Sequence, residues 1–89
     1  MPHIKNYMEE FVFNQMAEVL EDIKMCKCEK CIMDIAAIAL NDLPPKYIVT
    51  EKGELFSKVN SLRRQFEVDI IAAIIKAAII VKRNPRHDI

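Results

Sequence analysis

Between Glu54 and Arg83 the chain runs without a proline or a glycine, and from Val68 to Val81 it is apolar on nearly every side. Only Asp69 and Lys76 interrupt that inner run, while Leu55, Val59, Leu62, Phe66, Ala73 and Ile80 mark its helical steps. The pattern predicts one long C-terminal helix over residues 54–83, about 45 Å at 1.5 Å per residue. That exceeds the width of a globule of this size. A membrane span needs about 20 apolar residues, and this run is shorter with two charges inside it. A helix that is apolar on several faces must be covered on several faces. One small monomer cannot do that and a second copy can, so the chain is expected to be a homodimer with this helix at its interface.

The rest of the chain is too small to contradict that reading. Its 89 residues, 52% of them hydrophobic, make one domain spanning 1–89. Such a domain buries only about 60–65% of the surface of its unfolded chain, so its stability is marginal without help from metal, disulfides or oligomerisation. Thirteen basic and thirteen acidic residues cancel. No global field or basic stripe recruits nucleic acid or an anionic membrane. Met1-Pro2-His3-Ile4-Lys5 leads directly into an amphipathic segment with no secretory pattern, and a cytoplasmic location is expected.

Helical signals continue upstream. Asn6 is placed to cap a first helix, with Glu9 at the capping-box position. Met8, Val12, Met16, Val19, Leu20 and Ile23 form its apolar stripe, widened by Phe11 and Phe13. A second helix is expected from about Lys30 to Leu40, with Ile32, Ile35, Ala36 and Ala39 inward. Asn41-Asp42 and Pro44-Pro45 end it, because proline blocks continuation and biases its predecessor away from helix. Lys46 to Thr50 reads as an extended segment without a pairing partner, and residues 50–54 read as a turn. The fold class expected is therefore all-α: a small helical domain with a long C-terminal helix, homodimeric.

All three cysteines fall within Cys26-Lys27-Cys28-Glu29-Lys30-Cys31. They are too close for a disulfide framework, and an odd number cannot all pair within one chain. The spacing does allow the thiolates to converge on one tetrahedral Zn2+, from a tight turn and the start of a helix. The other course is a set of reduced thiols that bind nothing. A closed site needs a fourth ligand, for which His87, His3, Asp34, Glu29 or a donor from a second chain are candidates. His87 suits best. It follows Asn84-Pro85, where proline stops the long helix, and an up–down arrangement would return that end to the cysteine turn. His3 precedes the first helix, whose far end carries the cluster roughly 25–30 Å away. Asp34 is within reach, but a carboxylate with three thiolates is the less usual structural set.

Several separated segments together resemble the late-competence protein ComFB family. They are Asn6-Tyr7-Met8-Glu9-Glu10, the cysteine cluster, Asp34 to Asn41, Leu43 to Thr50 and the close Asn84-Pro85-Arg86-His87. The resemblance covers nearly the whole chain. It implies a small, dimeric, helical, zinc-binding protein, and a link to binding cyclic di-GMP. Where a fourth cysteine would complete the metal site, this chain offers Pro85-Arg86-His87.

The residues themselves give catalysis little to work with. No Ser/His/Asp set or Gly-rich phosphate loop is recognisable, and a saturated zinc leaves no position for water. The chain is thus expected not to be an enzyme. Glu51, Glu54 and Glu67 read as solvated or helix-capping groups. For an anionic ligand the candidates are Lys46, Tyr47, Thr50, Lys52, Arg63 and Arg64. Arginine grips phosphates bidentately or stacks on purines, and tyrosine offers a stacking face. The same residues also fit a solvated charged face. Two copies of the set across a dimer axis would suit a twofold-symmetric cyclic dinucleotide. Two functions remain open: a nucleotide-sensing dimer that signals to a protein partner, and a structural adaptor dimer of the competence system with no nucleotide ligand.

Overall fold

The computed structural model describes the backbone of residues 3–50 and 55–84, and the side chains of residues 4–49 and 60–84. The elements run β1 (His3–Asn6), α1 (Tyr7–Glu21), α2 (Glu29–Asp42), β2 (Tyr47–Thr50), α3 (Leu55–Gln65) and α4 (Glu67–Arg83). Helices dominate, as expected, but the described residues also include a small sheet.

Asn6 explains how the first half closes. Its backbone is extended (φ −84°, ψ 99°), and its side-chain Oδ1 accepts the Met8 N–H at 3.2 Å, capping α1. The same oxygen accepts the Lys46 N–H at 2.9 Å, forty residues along the chain. Beside it, the Tyr7 N–H donates to the Lys46 carbonyl at 2.8 Å. These bonds set the antiparallel register of β1 on β2, which pairs His3 with Thr50, Ile4 with Val49, Lys5 with Ile48 and Asn6 with Tyr47. The extended segment at 46–50 therefore does have a partner, contrary to the sequence expectation.

The core lies between α1, α2 and α4. Met8, Phe11, Val12, Met16 and Leu20 are its α1 side, while Phe13 turns outward and stays 44% exposed. Cys31, Ile35, Ala36 and Ala39 face it from α2. From α4 come Ile70, Ala73, Ile74, Ala77, Ala78 and Val81. Alanines on both α2 and α4 let these two helices approach closely. They run antiparallel: Asn41 and Asp42 share a cavity wall with Ala73 and Lys76, and Asp34 shares one with Val81 and Asn84. The end of α4 thus returns to the start of α2. Leu43 is extended (φ −104°, ψ 144°) ahead of Pro44, ending α2 as proline requires.

The long C-terminal helix is a correction. It divides at Phe66 into α3 and α4, with Phe66 at φ −108°, ψ 9°. Helical bonding persists on each side, from the Phe66 N–H to the Leu62 carbonyl at 3.3 Å and from the Ile70 N–H to the Phe66 carbonyl at 2.9 Å. No glycine or proline marks the break. Phe66 instead packs on the core, and the Lys46 ammonium stands 4.2 Å from the centre of its ring. Tertiary packing here overrides helix propensity. The expected turn at residues 50–54 lies outside the described residues. No helix among the described residues is long and apolar enough to cross a membrane.

Candidate metal centre

The link between α1 and α2 holds the three cysteines, and the backbone decides how they converge. Cys28 occupies the cap position of α2 in an extended conformation (φ −69°, ψ 164°), and its carbonyl accepts the Ile32 N–H at 3.0 Å. Its sulfur makes no full capping hydrogen bond of the serine or aspartate kind, but it faces the first-turn N–H groups of Lys30 and Cys31. The three sulfurs lie within 4.8 Å of one another, with Cys26 exposed, Cys28 half-buried and Cys31 buried.

Their electrostatics differ in a way that follows from this placement. The Cys31 backbone N–H, with help from the neighbouring thiols and the Lys30 N–H, stabilises the Cys28 thiolate and lowers its pKa. Burial pushes the Cys31 thiol up to about 12, and the adjoining sulfurs of Cys28 and Cys26 add to the rise. Three ionised sulfurs this close repel one another unless a cation sits between them. Tetrahedral zinc with Zn–S near 2.3 Å would set sulfurs about 3.8 Å apart, so the observed cluster needs little closure to fit.

The other expected ligands are placed as follows. His87 lies outside the described residues, as does the His3 side chain. The β1 backbone that carries His3 sits at the start of α1, a 15-residue helix about 22 Å long, away from the cysteine end. Asp34 is half-buried one turn beyond Cys31, but neither it nor Glu29 belongs to the converging group.

The candidate anion-binding residues are only partly gathered. Lys46 is held by its backbone to Asn6 and by its ammonium to Phe66. Tyr47 opens β2 with 64% of its surface exposed. Arg63 and Arg64 close α3; Arg63 is half-buried with a guanidinium nitrogen 3.9 Å from a Glu67 oxygen, while Arg64 is exposed. The Lys46–Phe66 contact brings the start of β2 beside the end of α3. Thr50 is placed by its backbone alone, and Lys52 lies outside the described residues.

Unforeseen in the sequence is an apolar cavity between α1 and the cysteine turn, lined by Phe13, Met16, Ala17, Leu20 and Ile32 with Glu21 and Lys27 at its rim. The outward Phe13 was its one signal.

These features define a small, mostly helical protein with a three-thiol centre suited to a metal ion. The family model for "Late competence development protein ComFB" matches residues 5–85, and the chain belongs to that family. A curated relative, "Competence protein ComFB" of Bacillus subtilis (strain 168), is 25% identical over 60 residues. That match spans 67% of this chain and 61% of the relative's length. The solved structure described as the late competence protein ComFB from Bacillus subtilis superposes with a TM-score of 0.73 at 20% identity. It covers 96% of this chain and 97% of that one, so the two share a fold.

Proposed function

We propose that the chain is a non-enzymatic regulatory module. In this reading a structural zinc holds its helices, it works as a homodimer, and it binds a cyclic dinucleotide and signals to a protein partner. The observation that carries the reading is the convergence of the Cys26, Cys28 and Cys31 sulfurs within 4.8 Å. When bound, zinc would pin the α1–α2 turn as a saturated, closed centre. His87 is the proposed fourth ligand. Asn84 lies beside Asp34 at the first turns of α2. Three further residues reach up to about 10 Å, which suits a ligand at this end of the fold.

Dimerisation is supported by the outward face of α4. Val68, Ala72, Ile75 and Ile79 follow one another at steps of four, three and four, and Val68 is 78% exposed. Such spacing forms an apolar seam that a second copy of the helix can cover. The radius of gyration, 14.4 Å, exceeds the roughly 12 Å of a compact chain of this length.

For the nucleotide, the exposed Tyr47 ring offers a stacking face next to Lys46, whose ammonium reaches Phe66. Lys46, Thr50, Lys52, Arg63 and Arg64 would complete the site, doubled across the dimer axis. A second reading, an adaptor dimer of the competence system without nucleotide, is favoured by the Arg63–Glu67 pair and by the unequal burial of the two arginines.

Elemental analysis should give about one zinc per chain, and His87→Ala should weaken its retention against a chelator. Full retention in that variant removes His87; metal-free protein with intact folding removes the structural zinc. Calorimetry with a panel of cyclic nucleotides separates the two functional readings. Loss of binding in Arg63→Ala/Arg64→Ala, with helix content kept, supports the first, and absence of any binding by the parent supports the second.

A further inference from the structure

The net charge of zero conceals a strongly acidic helix. α1 carries Glu9, Glu10, Glu18 and Glu21 and no basic residue, and Asp22 caps its end. Only Glu10 among these is neutralised within the described residues, by Lys5 at 2.7 Å. Glu18, Glu21 and Asp22 remain exposed along the last turns.

Beside those turns lies the apolar cavity, about 350 Å3 in volume. Its floor is Met16 and Leu20, both buried, and its mouth is set by Phe13 and Ala17, which are exposed. A half-exposed phenylalanine over an apolar hollow is a standing cost in water, and a ligand that covers it recovers that surface. The segment from Phe13 to Glu21 spans about 12 Å of helix, or two turns. Two large apolar side chains two turns apart on a partner helix would match that length. Flanking charges on such a helix must be basic to meet Glu18, Glu21 and Asp22. Lys27, also on the rim, suits the negative end of a helix dipole.

We infer that this cavity is a docking site for an amphipathic helix of a partner protein, with apolar anchors flanked by Lys or Arg and its C-terminal end toward Lys27. It is distinct from the α4 seam and goes beyond the nucleotide and metal sites.

The test uses the full metal-replete chain and a dye-labelled synthetic helical peptide of about five turns. The peptide presents leucines on one face with lysines beside them, and its control carries glutamate in place of every lysine. Fluorescence anisotropy should show the lysine peptide binding at least about tenfold tighter than the control, as expected for complementary charge. Ala17→Arg, at an exposed position, should weaken the lysine peptide about tenfold with helix content unchanged. Glu18→Lys/Glu21→Lys should reverse the preference between the two peptides. Equal binding of both peptides, or full binding by Ala17→Arg, overturns the proposal. So does a change of sedimentation in Ala17→Arg from dimer to monomer, which would give the cavity to a second copy.

Discussion

Replacing Asn6 by alanine removes one oxygen that serves two backbone donors in different parts of the chain. The first is the Met8 N–H, whose loss is the loss of a helix cap, about 1 kcal/mol. The second is the part-buried Lys46 N–H, which loses its only acceptor among the described contacts. Leaving a buried donor unpaired costs about 1–3 kcal/mol, and partial burial places this one toward the lower half. Together the substitution should destabilise the fold by about 2–3 kcal/mol, because both losses arise from the same atom but fall on separate elements. For a domain of this size that lowers the thermal midpoint by roughly 10–20 °C. Asn6→Asp keeps an acceptor at the same position and adds a charge suited to a helix N-terminus, so it should stay within about 0.5 kcal/mol of the parent.

Urea unfolding at fixed protein and metal concentration measures the difference, since ligand and partner both shift apparent stability. Hydrogen exchange adds a local readout: the Lys46 amide should lose protection in Asn6→Ala and retain it in Asn6→Asp. If Asn6→Ala costs less than about 0.5 kcal/mol, or if Asn6→Asp is as damaging, the shared-oxygen account fails.

Other expectations follow from the same contacts. Ile74, fully buried on the inner face of α4, should not tolerate aspartate, since an unpaired buried charge costs several kcal/mol; loss of helical circular dichroism checks it. Ile79→Arg, on the outer face, should keep the helix signal and lower the sedimenting mass if α4 is the dimer seam; an unchanged mass moves the interface elsewhere. Lys46→Met should cost about 0.5–1 kcal/mol through loss of the ammonium above the Phe66 ring, read by urea unfolding. In metal-free protein the raised pKa of Cys31 makes its contribution complete below the ordinary thiol value of 9.0. That contribution falls away between there and about 12, because the unfolded thiol ionises while the folded one keeps its proton. The lowered pKa of Cys28 acts oppositely, its contribution being present above 9.0 and lost as pH falls. A thermal midpoint that declines above pH 9 should decline less in Cys31→Ala, and identical slopes would refute the assignment.

What could be read from the sequence was what local chemistry decides. Asn6 as a cap, the α1 stripe, the proline stop after Leu43 and the grouping of three cysteines each depend on residues within a few positions of one another. The sheet was hidden because β1 is four residues, His3–Asn6, and finds its partner only through a bond forty positions away. The break at Phe66 was hidden for a related reason. Its residue type favours neither turn nor cap, and the groups that meet there, Lys46 and the core, are chosen by tertiary contact.

These two hidden features meet at Lys46. Its N–H is fixed by the oxygen that caps α1, its carbonyl by the first amide of α1, and its ammonium by the ring at the α3–α4 joint. The residue therefore ties the entry of the first helix to the angle between the last two. A ligand that draws the Lys46 ammonium toward an anion would remove it from Phe66 without disturbing its backbone bonds. The cost is that of one cation–π contact, about 0.5–1 kcal/mol, which a single charge-assisted hydrogen bond can offset. An anion beside the Lys46 ammonium would therefore leave the backbone bonds around Asn6 closed.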